Sequence, residues 1–484
     1  MPLSSLPSPY GIGTMGKEAY RFADFLEAAG QKYWQLLPLG PSNCGDSPYS
    51  SLSTFAGNPL FIDLDLLKED GLLNEEDLSE IDWGTDPEIV DYERVRQNRY
   101  PVLRKAFLNG KDMFSDEVAL FHQQNAGWLD NYALYMSVKK KYRDAGWQEW
   151  PEEIRLRNPD AMERYRKELA EEIDFWIFIQ FLFYRQWDAL RTYVHNKGIG
   201  FIGDVPIYVA MDSADVWGET QFFQLDEKGK PVEVAGVPPD AFTEEGQLWG
   251  NPLFDWDRMK ADGYGWWIRR IEGAQKLYDV IRIDHFRGFE SYWSVPATEK
   301  TAINGHWVKG PGLDLVHVLT SWFYGLEYIA EDLGIITPEV AGLVKDSGLP
   351  GMKVLQFAFD SEGDSVYLPH NISDSNSVCF VGTHDNDTVL GWVEKLSDAD
   401  RSFAADYMHI TEDEGWCEGM IRTGMATPSG LFVVPMQDVL ELPGSCRMNM
   451  PGVPDGNWRW RMLPRAATEE KAARLLALTK RYRR

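Results

Sequence analysis

The chain has 484 residues, 44% hydrophobic and 25% charged, the balance of a globular protein with a sizeable core. Its 75 acidic residues outnumber 48 basic ones, for a formal charge of −27. Such a field repels phosphate backbones and anionic lipid, which argues against nucleic-acid and membrane-surface binding.

Taken in chain order, residues 1–10 lack a basic n-region and an apolar h-region, so no signal peptide is expected. No later run approaches 18 consecutive apolar residues, so no transmembrane helix is expected either. The first helix is expected over 16–29, with Gly30 as its C-terminal cap. The first readable strand is 33–37. A long connection, 38–198, follows. Much of it has helical character, including the apolar run 174–185 and a helix over 183–196 that ends near Gly198. An inserted helical subdomain is expected at about 60–180.

The second strand, 199–203, opens another long connection rich in Gly, Pro and Trp, at about 205–278. Loops after barrel strands build the active site, so this insertion is expected to form a cleft wall. Further strands are expected at 280–283, 327–330, 352–357, 378–382 and 430–434. A last helix is expected over 468–481, acidic in its first turn and basic in its last. Strands alternating with helices predict an α/β fold. Seven strands are readable where a closed barrel has eight, and the first of the eight is due before Leu6.

Cys44, Cys379, Cys417 and Cys446 are scattered without CxxC spacing, as reduced thiols of a cytoplasmic protein would be. The 19 Trp, 21 Tyr and 24 Phe exceed what a cleft could use, so most belong to the core. A few beside carboxylates would suit a sugar site, stacking on the apolar face of a ring.

Four strand ends carry acids: Asp204, Asp284, Glu331, and Asp385 with His384 beside it. In a barrel these ends converge on one mouth. Singly, an acid there begins a loop or caps a helix, as Asp387 before Thr388 is expected to do. Four together suit glycoside cleavage, in which one carboxyl protonates the leaving oxygen and another attacks or directs water. The two need different pKa values. Arg282 and Asp284 are two apart on a strand and share a face, so the guanidinium is expected to keep Asp284 ionised as a nucleophile. No basic residue lies within ten positions of Glu331, which suits a raised pKa and an acid role. The sequence leaves open whether Glu331 or Asp332 faces inward. His384, Asp385 and Asp387 could instead ligate a metal, but no HExxH or EF-hand spacing is present, so neither metal nor cofactor is expected.

The segments SLPSPYGIG (5–13), YWQLLPLGP (33–41), DSPYSSLSTFAGNP (46–59), GDVPIYVAMDSADVW (203–217), GQLWGNPLFDW (246–256), RIDHFRGF (282–289), AEDLG (330–334), GTHDNDT (382–388), RMNMPG (447–452) and NWRWR (457–461) span almost the whole chain. In this order they resemble the 4-α-glucanotransferases of glycoside hydrolase family 77, also called amylomaltases or disproportionating enzymes. The resemblance implies one catalytic (β/α)8 TIM barrel of the α-amylase superfamily over 1–484, with helical insertions between strands. The family's usual run before the segment matching residues 2–6 is missing, which would truncate the first strand. The resemblance also implies a retaining transfer of an α-1,4-glucan segment. Asp284 falls on the nucleophile, Glu331 on the general acid/base and Asp385 on the acid that stabilises the transition state. The choice of Asp385 over Asp204 for that third role rests on the family alone. Asp204, Arg282, His384, Tyr49, Trp249 and Asn449 fall on substrate-binding or supporting positions.

The implied partners are maltooligosaccharides and starch- or glycogen-derived glucans, with glucose as an acceptor. The 236–256 segment, with Trp249, is expected to cover the cleft so that a sugar hydroxyl outcompetes water. An α-amylase-like hydrolase with the same acids, a non-catalytic glucan-binding barrel and a metal-dependent hydrolase are the alternatives.

Overall fold

In the computed structural model, which describes residues 1–43, 45–239, 243–453 and 455–484, eleven strands are present. In chain order they are β1 (Tyr33–Gln35), β2 (Gly200–Val205), β3 (Glu233–Val237), β4 (Gln247–Pro252), β5 (Val280–Ile283), β6 (Ser291–Pro296), β7 (His306–Lys309), β8 (Glu327–Ala330), β9 (Gly351–Val354), β10 (Ser377–Phe380) and β11 (Leu431–Val433).

Seven of these are the apolar runs of the sequence, and they pair in parallel. One sheet has the order β1-β2-β5-β8 and the next β9-β10-β11. The seam between β8 and β9 is bridged by Ala330 N–H to Pro350 O at 2.9 Å and Met352 N–H to Asp332 Oδ1 at 2.7 Å. All seven strands send side chains into one apolar interior: Tyr33, Ile202, Val280, Ile329, Met352 with Val354, Val378 with Phe380, and Leu431 with Val433. A parallel sheet buried on both faces needs such continuously apolar strands, which is why they were readable. This is the arrangement of a (β/α)8 barrel, with seven of its eight strands formed among the described residues.

Where the first strand is expected, Leu3–Ser5 forms a 3-10 turn. The outer edges of β1 and β11 face a cavity of about 440 Å³. Its lining includes Met1, Tyr33, Gln35, Leu431 and Val433. The chain start is fastened at its rim, with Trp34 Nε1 donating to Met1 O at 2.7 Å.

Beyond the barrel strands, β4-β3-β6-β7 form an antiparallel sheet with Gly236 opposite Trp293 and Ser294 opposite His306. The sequence reading missed this sheet. Its strands are short, mixed in polarity and interrupted by Gly and Pro, and β7 is largely exposed. Residues 240–242 of the expected covering segment lie outside the described residues, as does Cys44. Much of the rest of that segment is the β3–β4 hairpin.

The helices expected at either end are present as Lys17–Ala28 and Glu469–Tyr482, and they pack on each other. Gly30 adopts φ 70°, as a left-handed C-terminal residue should. The helix expected over 183–196 is the end of a longer one, Ala170–Asn196, which absorbs the apolar run before it. It packs along Ser115–Lys141 with aromatic contacts such as Tyr132–Trp176. Asp387 is not the cap of helix Val389–Lys395. Thr388 Oγ1 takes that place, accepting from Gly391 N–H at 3.1 Å, while Asp387 pairs with Lys395. Most tryptophans are core as expected: Trp34, Trp147, Trp150, Trp187, Trp217, Trp266 and Trp267 are fully buried.

Gly203, one residue before Asp204, shows how closely the barrel wall is packed. A Cβ there would lie 2.0 Å from the ring of Tyr278, which is itself buried. Neither a buried ring nor a central strand can move aside cheaply. Gly203→Ala is therefore expected to cost about 1–3 kcal/mol, read as a lower thermal midpoint. An unchanged midpoint would mean that the Tyr278 ring is free to turn.

Candidate active site

The register of the sheet places the acids. Ile283 pairs with Ala330, so Asp284 and Glu331, the next residues of β5 and β8, leave adjacent strands at the same level. Asp204 pairs with Arg282 one strand over. Three strands thus deliver two acids, an arginine and a third acid to one side of the barrel mouth.

Arg282 is the hub. It is buried, and its Nη1 reaches Asp204 Oδ2 at 2.5 Å and Asp284 Oδ1 at 3.0 Å. A guanidinium with no solvent around it needs such charged acceptors. Tyr49 donates its hydroxyl to the same Asp204 oxygen at 2.8 Å and lies 3.4 Å from Nδ1 of His384. The Tyr49 and His384 rings stack at 5.1 Å, and Trp458 leans on both at 5.7 Å. His384 Nε2 is 3.4 Å from Asp385 Oδ2, whose other oxygen accepts from Asn449 Nδ2 at 2.5 Å. Asn449 also donates its N–H to His384 O at 3.1 Å. Arg447 fixes the backbone here by donating to the carbonyls of Asp385 and Asn449.

On the other side, Glu331 is held by the backbone. Oε2 accepts from His285 N–H at 2.7 Å and Oε1 from Leu333 N–H at 2.8 Å. The orientation left open by the sequence is settled: Glu331 faces the mouth, and Asp332 turns to β9, accepting from Met352 N–H. Trp249, on β4, is 37% exposed and joins the cluster through a T-shaped contact with the His285 ring, their centroids 4.9 Å apart.

All nine residues singled out in the sequence therefore belong to one connected cluster. The residues that the sequence reading did not single out are His285, Leu333, Arg447 and Trp458. Leu333 acts on Glu331 through its main-chain N–H, which leaves no signature in side-chain chemistry, and the guanidinium of Arg447 acts on main-chain carbonyls that the sequence does not locate. His285 carried the one available signal, its place directly after Asp284.

The two central acids differ in electrostatics. Burial pushes Glu331 up to about 7; Asp284 adds to this, and Arg282 and the two backbone N–H groups oppose it. Burial also pushes Asp284 up, to about 6, with Asp204 and Asp385 adding and Arg282 opposing. Desolvation here outweighs the one guanidinium. The order of the two acids is nonetheless the expected one. At Asp385 burial acts upward but is outweighed by His384 and Asn449, which hold it below the usual carboxylate range. His384 moves the other way, as Asp385 outweighs the burial that would lower it.

Among the described residues no group of three or more His, Cys, Asp or Glu is placed to hold a metal ion. Asp387, one of the three weighed for that role, is turned to Lys395. No helix among the described residues is long and apolar enough to cross a membrane.

Known proteins resemble this chain along its length. The family model for 4-alpha-glucanotransferase matches residues 1–466. A 4-alpha-glucanotransferase of Clostridium butyricum is 46% identical over 486 residues, covering 100% of both chains. That of Thermus thermophilus is 46% identical over 98% of this chain and 96% of its own. The solved amylomaltase from Streptococcus agalactiae, in complex with acarbose, superposes with a TM-score of 0.98 at 41% identity, over 100% of this chain and 98% of that one. Amylomaltase from Corynebacterium glutamicum, at 18% identity, shares the fold with a TM-score of 0.81 over 99% of this chain and 74% of its own.

Proposed function

Because this chain belongs to the 4-alpha-glucanotransferase family, glycoside hydrolase family 77, we propose that the cluster at its barrel mouth performs the transfer as a double displacement on Asp284. The enzyme is a 4-alpha-glucanotransferase acting on α-glucans. The observation that carries the residue assignment is the register of β5 and β8, which sets Asp284 and Glu331 side by side with different partners.

Glu331, protonated at the start, gives its proton to the glycosidic oxygen. Asp284 attacks the anomeric carbon, that C–O bond breaks, and a β-linked glycosyl ester forms. The shortened sugar departs. An acceptor 4-hydroxyl then gives its proton to Glu331 and attacks the anomeric carbon, whose bond to the Asp284 oxygen breaks, restoring the α linkage and freeing Asp284. Asp385, kept ionised beside His384 and Asn449, accepts sugar hydroxyls and offsets positive charge at the oxocarbenium-like carbon. Asp204, Arg282, Tyr49 and His384 hold the floor on which the nucleophile rests. Trp249 offers an exposed face for an acceptor ring, and the segments of about 205–278 form that wall of the cleft. Glucose and maltooligosaccharides are the acceptors in this reading. A cytoplasmic location suits the free, buried Cys379, Cys417 and Cys446.

Incubation with maltotriose alone tests the activity. Longer oligosaccharides together with glucose or maltose, at a constant number of reducing ends, are expected. Rising reducing ends with shorter sugars only would make the chain a hydrolase.

The pH dependence follows from the two acids. Asp284 must be ionised, so activity falls as pH drops through its raised value of about 6. Glu331 must be protonated, so activity falls as pH rises through about 7. The profile of kcat/KM is expected to be a narrow bell on the mildly acidic side of neutrality, its limbs belonging to the pair. A plateau extending well above pH 8 would contradict the acid role of Glu331.

A further inference from the structure

His285 stands between the nucleophile and the acid/base, and its backbone is unusual. It adopts φ 52° and ψ 43°, the left-handed region that a non-glycine residue enters only at a cost. Such a conformation persists when its surroundings over-determine it, and here they do. Its N–H donates to Glu331 Oε2 at 2.7 Å, and its carbonyl accepts from Gly288 N–H at 2.9 Å. The next N–H, of Phe286, donates to Glu331 O, and Glu331 N–H returns to Ile283 O, each at 3.1 Å. The ring is held from two sides. Trp249 meets it edge-on at 4.9 Å and 81°, and a Cβ on Gly288 would lie 3.2 Å from Cδ2.

We infer that His285 is a positioning residue for the acid/base: its left-handed turn, beside which the ring packs between Trp249 and Gly288, aims the N–H after the nucleophile at Glu331 Oε2. In an extended conformation the tight turn after β5 would not form, and the carboxyl would keep only Leu333 as a backbone donor. The turn also ties the acid to Trp249, so the wall that faces the acceptor and the group that deprotonates it share one mechanical element. The imidazole takes no proton in this role. Burial, with Arg287 adding, pulls its pKa down to about 3, so it stays neutral across the working range.

The charged and titratable groups facing Glu331 are Arg282 from β5, Asp284 and Arg287 from the turn after it, and Tyr367 from the segment after β9. None of them is altered by the substitutions below. A backbone N–H stabilises the ionised carboxylate, so losing it raises the pKa of Glu331.

The inference rests on Glu331 being the acid/base, and its test separates the two ideas. His285→Val disfavours the left-handed turn, whereas His285→Asn tolerates it. The high-pH limb of kcat/KM is expected to move up by about one pH unit in His285→Val. His285→Asn is expected to bring it back toward the wild-type position. A limb unmoved in a folded His285→Val enzyme, or moved equally in both variants, would overturn the role of His285. If His285→Val fails to fold, His285→Ala, which also lacks the ring, is measured against His285→Asn by the same criterion. Separately, a wild-type high-pH limb that persists in Glu331→Gln would overturn the acid/base assignment itself.

Discussion

Asp284→Asn is expected to lower turnover of maltotriose by about four orders of magnitude or more while leaving the fold intact. The amide keeps the size of the carboxylate and can still accept from Arg282, so the Asp204–Arg282–Tyr49 contacts survive. What is lost is the negative charge that attacks the anomeric carbon. The unfolding midpoint and circular dichroism should match wild type, which separates lost chemistry from lost structure. A shorter side chain sharpens the test. In Asp284→Ala, added azide can enter from the face the carboxylate occupied. An α-maltosyl fluoride donor should then give the β-maltosyl azide. Retention of about a tenth of wild-type turnover in Asp284→Asn would show that the nucleophile lies elsewhere.

Glu331→Gln is expected to behave differently, because the loss depends on the leaving group. Maltotriose needs its leaving oxygen protonated, and turnover should fall by about 100- to 10,000-fold. α-Maltosyl fluoride leaves without a proton, so the first displacement should persist. The second needs a base to take the acceptor proton, and that base is gone. The glycosyl ester on Asp284 should therefore accumulate, seen by intact-mass measurement as a protein heavier by one maltosyl unit. Digestion should place the added mass on the peptide containing Asp284. A first displacement slowed equally with both donors, with no ester accumulating, would mean that Glu331 holds the site together and transfers no proton.

The barrel and the acids at its mouth were legible for one physical reason. A parallel strand covered on both faces must be apolar along its length, and a polar residue at its end must then be there for chemistry or capping. Asp204, Asp284, Glu331 and Asp385 stood out by that contrast. The β3, β4, β6 and β7 sheet did not, because its strands are partly exposed and carry no such constraint. Asp387 was misread because side-chain capping depends on which of two neighbours points inward, and Thr388 does. The desolvation at Asp284 was out of reach because sequence shows the neighbour two positions away but not the burial around it. The backbone donors to Glu331 were beyond reach for a related reason: main-chain groups are the same at every residue, and only the fold aims them.

The two ends of the chain are sewn together beside the barrel. Gln31 bonds Thr479 at 3.0 Å, Ser5 O accepts from Met462 N–H at 2.8 Å, and Ser8 O accepts from Arg461 at 2.7 Å. On the ribosome this makes the site a late event. Tyr49 and Asp204 emerge early, but Asn449 and Trp458, which brace Asp385, His384 and Tyr49, come near the end of synthesis. Until β11 emerges, the first strands wait with an apolar inner face uncovered, and the site waits longer still, for Asn449 and Trp458. Translation arrested before residue 449 should leave a bound, inactive chain, and release of activity should coincide with emergence of the segment 449–482.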